Sequence, residues 1–198
     1  MTAVDYYQRG FNEVSKNIVG WVVFYFVFML VVGFSMGLGG VFSANVMREV
    51  RRSLDEGRAP DINALFRTDH INNDIVNGFI FVGAVMLGGL VGGLGGTVAA
   101  VVLQMHMPLA ARNRYQPMDN AKLSWRHVST HVADHIVFFL VGVALTAVAA
   151  MFCFLPLLLV APVSQAALML WFKDSEGEID GFAAGDGLKP IASIEGTP

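Results

Sequence analysis

Three histidines, His127, His131 and His135, recur every four residues, which on one helix would place them on a single face. Two imidazoles at that spacing can chelate a divalent transition metal, and Asp134 stands beside them. No glutamate lies inside an H-E-x-x-H pattern, so zinc hydrolysis has no visible base. The sequence favours a plainer reading: a polar face entering the membrane interface, with no metal and no cofactor. Met105-His106-Met107 is a softer set that suits copper, but it precedes Pro108 and reads as ordinary lining of a helix end. Asp174-Ser-Glu176-Gly-Glu178-Ile-Asp180 alternates acids as a calcium loop does. Such a loop needs glycine where Ile179 stands, and no terminal glutamate follows. A single cysteine, Cys153, excludes an intramolecular disulfide and any multi-cysteine metal site.

Cationic chemistry is concentrated in Arg48, Arg51, Arg52, Arg58 and Arg67. Flanked by apolar sequence, they are expected just outside a bilayer, against anionic lipid headgroups. The net charge of −3 gives no basic surplus for nucleic acid.

The elements that must position these residues are uncharged blocks. Ile75–Ala111 contains no Asp, Glu, Lys or Arg over 37 residues, a membrane signal rather than a soluble-core signal. As one helix it would span ~55 Å against a hydrocarbon core of ~30 Å, so a helical hairpin fits better. Comparable blocks run over Asn17–Met47 and His135–Phe172. Fold class is therefore all-α: a polytopic membrane protein of three hairpins, about 5–6 membrane helices, joined by short cytoplasmic amphipathic helices. The first block contains Gly33, Gly37, Gly39 and Gly40 and is either one tilted helix or a turn back. In the central block Ala84, Gly88, Gly92, Gly96 and Ala100 recur every four residues. They make either a small-residue packing ridge or, through Gly92–Gly96, the hairpin turn.

Three regions follow: an interfacial segment, 1–16, with Tyr6, Tyr7, Phe11 and Val14 on one face; a single transmembrane domain, 17–172; and an acidic solvent-exposed tail, 173–198. The first apolar run is too long for a cleavable signal peptide. Gly57 is expected to cap a helix that carries the arginines, Asp61 to cap a short one, and Asp119 to cap one running through Trp125. All thirteen Lys and Arg residues lie outside the three blocks. Single crossings would divide them between two faces, whereas hairpins gather them on one, which the positive-inside rule makes cytoplasmic. Both termini are then cytoplasmic, in a bacterial inner membrane. A faint repeat relates Val14–Asn17 to Val128–His131 at an offset of 114, and Phe42-Ser43-Ala44 loosely to Val163-Ser164-Gln165.

The arginine-rich segment, Gly57-x-x-Pro60, Leu65-Phe66, an apolar hairpin ending near Pro108, Ala121-Lys-Leu-Ser-Trp125 and an apolar stretch with Pro162 form a recognisable series. It resembles a broad group of bacterial multi-pass membrane proteins of unknown function, similar in pattern to the membrane domain attached to some glycerophosphodiester phosphodiesterases. Gly-Gly pairs stand where that group usually has an Ile-Pro-Gly turn, and the resemblance implies no catalytic residues. Membrane charges mark proton relays and ion coupling, and the blocks carry none. The expectation is a non-catalytic protein acting through assembly, as a homo-oligomer or an accessory subunit. A passive pore lined by Asn45, Asn77, Gln104 and Gln165 is the alternative.

Overall fold

The computed structural model describes residues 1–34, 42–90, 94–151 and 157–191. Among them the chain is all-helical: α1 (Ala3–Ser15), α2 (Ile18–Phe34), α3 (Ser43–Glu56), a 3-10 turn (Ile62–Phe66), α4 (Ile71–Leu90), α5 (Leu94–Val102), α6 (His106–Arg112), α7 (Pro117–Thr130), α8 (Val132–Met151) and α9 (Leu157–Gly185). Three stretches are long and apolar enough to cross a bilayer: Ile71–Leu90, Leu94–Arg112 and Val132–Met151. A fourth becomes eligible if α1 and α2, bent by 101° at their junction, act as one broken span.

Polar contacts join residues that flank each apolar block in the sequence. Asn17, just before α2, donates to the Gly57 carbonyl just after α3 at 3.4 Å. Asn73 at the start of α4 donates to Asn113 after α6 at 3.1 Å. His131, just before α8, meets Glu178 on α9 at 2.8 Å. In the central block, α4 and α5 pack face to face through their glycines. A Cβ on Gly88 would lie 2.5 Å from the Gly95 carbonyl oxygen, and one on Gly96 would lie 2.9 Å from that of Val85. Gly88 and Gly96 thus stand at a close contact between two helices; Gly92, and with it the choice between a ridge and a turn through Gly92–Gly96, lies outside the described residues.

Local chemistry sets the boundaries. Gly57 closes α3 in the left-handed region, at φ 62°, where glycine carries no Cβ penalty. The Asp61 side chain accepts from the Asn63 N–H and opens the 3-10 turn. Asp119 does not cap α7. That helix starts earlier, with Gln116 as the cap residue and Pro117 in its first turn, where proline's missing N–H has no intrahelical bond to lose.

Two expectations change. On α1 the buried face is Tyr6, Tyr7, Gly10 and Val14, while Phe11 is exposed. Glycine is needed there because a Cβ at Gly10 would stand 2.8 Å from the Val163 carbonyl oxygen of α9. The segment from Lys173 is no solvated tail as far as Gly185: α9 continues through it and buries Ile179 and Ala183. Its acids are paired across the chain, Asp174 with Arg9, Glu176 with Arg51, Asp180 with Arg112 and Arg114, and Asp186 with Arg126.

The faint repeat becomes a register of whole elements. α1 and α2 begin at residues 3 and 18, and α7 and α8 at 117 and 132. Both pairs of starts are 114 residues apart, so each half opens with an amphipathic helix, a bend and an apolar helix. The looser match at Val163-Ser164-Gln165 falls out of this register.

Candidate functional site

The three histidines do not share one helix. α7 ends at Thr130, and His131 closes it with its N–H on the His127 and Val128 carbonyls before α8 begins at Val132. The bend nevertheless brings the rings together: His127 lies 5.0 Å from His131 and 5.1 Å from His135, centroid to centroid. His127 and His135 are fully buried, and the indole of Trp171 on α9 lies against His135, ring centroids 4.3 Å apart and tilted by 34°. Burial, followed by the neighbouring His131, pushes the His127 imidazole down to about 4, so this ring is neutral at ordinary pH.

A hydrogen-bond relay orients the buried pair. His135 Nδ1 lies 2.7 Å from Gln104 Oε1, and His127 Nδ1 lies 2.9 Å from His135 Nε2. With Gln104 Oε1 accepting, His135 donates from Nδ1 and accepts at Nε2. His127 then donates from Nδ1, which leaves its Nε2 with a free lone pair. His131 turns Nε2 to Glu178 Oε1 at 2.8 Å, and Asp134 stands 4.0 Å from its Nδ1. One ligand atom from each of His127, His131 and Glu178 lies within 4.8 Å of the others. Glu178 is the member that sequence reasoning missed. It sits 47 residues from His131, in a stretch that read as solvated tail.

The arginines expected at lipid headgroups mostly face carboxylates of the chain itself. Arg48 forms a two-pronged pair with Asp74, which is 3% exposed, and also bonds to Asn45. Arg51 pairs with Glu176 at 2.5 Å and Arg58 with the buried Glu49 at 2.7 Å; Arg52 lies 3.8 Å from Glu49. Arg67 is exposed, with no carboxylate partner among the described residues. Such partners are invisible to a composition argument, because Arg48 and Asp74 are 26 residues apart and Arg51 and Glu176 are 125 apart.

Of the four residues expected to line a pore, Asn45 and Asn77 are engaged in hydrogen bonds. Asn45 donates to the Leu65 and Arg67 carbonyls, and Asn77 donates to the Asn73 carbonyl while its side-chain oxygen accepts from Asn120. These bonds fix helices to one another. Gln104 and Gln165 do share a cavity of about 160 Å³, together with Ser43, Met47, Phe81 and Ala100. His106, of the Met-His-Met set, is fully buried with Nε2 3.2 Å from the Asn77 carbonyl.

No family model, curated protein or solved structure matches this chain.

Proposed function

We propose that this chain is a non-catalytic multi-pass protein of the bacterial inner membrane that acts by assembling with membrane helices, a second copy of itself first among them. Its three apolar blocks are hairpins with their feet on one side, the cytoplasmic side, where Arg52 and Arg67 meet lipid headgroups. The contacts at the foot of each block and the confinement of basic residues to those feet support this arrangement, as does the resemblance to bacterial multi-pass proteins.

The observation that carries the reading lies on α8. Six consecutive residues, Val143–Val148, are all exposed, and six residues exceed one helical turn of 3.6. This half of α8 therefore has open surface on every side. An all-round apolar helix needs lipid or other helices to cover it, and α4 is similarly bare, with 17% of its span buried against 50% for Leu94–Arg112.

Disulfide trapping in native membranes tests the proposal. In a Cys153→Ala background, single cysteines at positions 143 to 148 are oxidised in turn. An adduct of twice the chain mass, strongest along one helical stripe, is the expected result; an adduct of another mass assigns the surface to a different membrane protein and still supports assembly. No adduct at any of the six positions overturns it. The second reading, passage of a small uncharged solute, draws on the Gln104–Gln165 cavity, and solute flux into liposomes lost on Gln165→Leu would favour it.

A further inference from the structure

The His127–His131–Glu178 cluster lies at the junction of α7, α8 and α9, away from the bare half of α8, and assembly makes no use of it. Its donors are two imidazoles and one carboxylate, the set that leaves a fourth coordination position open on zinc. One of the two imidazoles has the outer contact that a metal site uses. A ligating histidine normally fixes its second ring nitrogen on a hydrogen-bond partner, which sets both tautomer and ring orientation. His127 has that partner in His135, itself held by Gln104 at 2.7 Å, which leaves the Nε2 of His127 as the ligand donor. His131 turns Nε2 to Glu178 and has Asp134 4.0 Å from Nδ1, beyond hydrogen-bond range.

Reach and charge also fit. Tetrahedral bonds of ~2.0–2.1 Å put neighbouring donor atoms ~3.4 Å apart. The cluster's atoms lie within 4.8 Å, and His131 and Glu178 already stand at 2.8 Å. Closing the remainder falls to His131 and Glu178, whose side chains are 34% and 41% exposed and have room to move, while the buried His127 stays fixed. Imidazole nitrogen with one carboxylate suits a borderline divalent ion rather than calcium or magnesium, which prefer all-oxygen shells.

We propose that His127, His131 and Glu178 bind one divalent transition-metal ion of the zinc class, with the fourth position open to water. The ion joins the α7–α8 bend to the extension of α9, so occupancy stiffens the foot of the third block.

The test uses the full chain in lipid nanodiscs, stripped with chelator and titrated with cobalt(II), whose visible absorption reports tetrahedral coordination, and then with zinc in competition. The expected result is saturation near one ion per chain, displacement by zinc, and a rise in melting temperature. Glu178→Gln keeps the size and exposure of the side chain but removes its charge, so it should keep the fold and weaken binding at least tenfold. His131→Ala should do the same. Asp174→Asn, one turn earlier on α9, should bind like wild type. Wild type that takes up no cobalt, or that binds no better than a folded Glu178→Gln, overturns the proposal and leaves His131–Glu178 as a structural ion pair.

Discussion

The α4–α5 contact offers a sharp test, because two glycines on one helix should respond with opposite signs. An Ala at position 88 would place its Cβ 2.5 Å from the Gly95 carbonyl oxygen and 2.8 Å from the Gly96 nitrogen. Both neighbours are backbone and cannot rotate away, so the helices must separate by about 1 Å to restore ordinary contact, and overpacking of this kind costs ~1–3 kcal/mol. Against unyielding backbone the cost falls in the upper part of that range, ~2–3 kcal/mol. Replacing a mid-helix glycine by alanine returns ~0.5–1 kcal/mol through backbone entropy, which leaves a net loss of ~1–2.5 kcal/mol for Gly88→Ala. At Gly83 nothing lies within 4 Å of the added Cβ, so only the gain remains. At ~2–4 °C per kcal/mol for a chain of this size, Gly88→Ala should melt lower by ~2–10 °C and Gly83→Ala higher by ~1–4 °C. Thermal unfolding in one detergent, followed by tryptophan fluorescence, reads both. A Gly88→Ala protein as stable as wild type, or equal losses at the two sites, would refute the claim that backbone contact at Gly88 holds α4 against α5.

Arg48→Ala strands the buried Asp74 carboxylate, and losing one partner of a buried ion pair costs ~3–5 kcal/mol; the double variant Arg48→Met/Asp74→Leu should recover most of that in chemical denaturation. Asp180 is partly buried, which alone would raise its pKa, but the Arg112 and Arg114 guanidiniums outweigh burial and hold it below its ordinary 3.8. Its contribution to stability is therefore complete above pH ~4 and fades as pH falls through the lowered value. The stability gap between wild type and Asp180→Asn should be flat from pH 7 to about 4 and should narrow below that. A gap that is unchanged at pH 3 would contradict the pairing.

The sequence carried the helical class and the apolar blocks because composition and charge spacing report directly on solvent. It carried Gly57 and Asp61 as caps because left-handed backbone and an exposed N–H each demand particular residues. It did not carry α9 beyond Phe172. Lys173–Asp180 is polar at nearly every position, and its order comes from partners on other elements, Arg9 lying 165 residues from Asp174. The same separation hid Glu178 from the histidines. The break at His131 was hidden for the opposite reason: four-residue spacing reads as one helix, while the bend folds the three rings into the same place. On α1, Phe11 looked like core by its apolar character, but close approach of two backbones selected Gly10 instead.

The central claim is that every apolar block returns to the face from which it left. In a Cys153→Ala background, Arg52→Cys, Arg114→Cys and Lys189→Cys sit after the first block, after the second and after the third. A membrane-impermeant maleimide applied to intact cells and to inverted vesicles reads the side of each. All three should label in inverted vesicles and none in intact cells. A single position labelled from outside intact cells would contradict it.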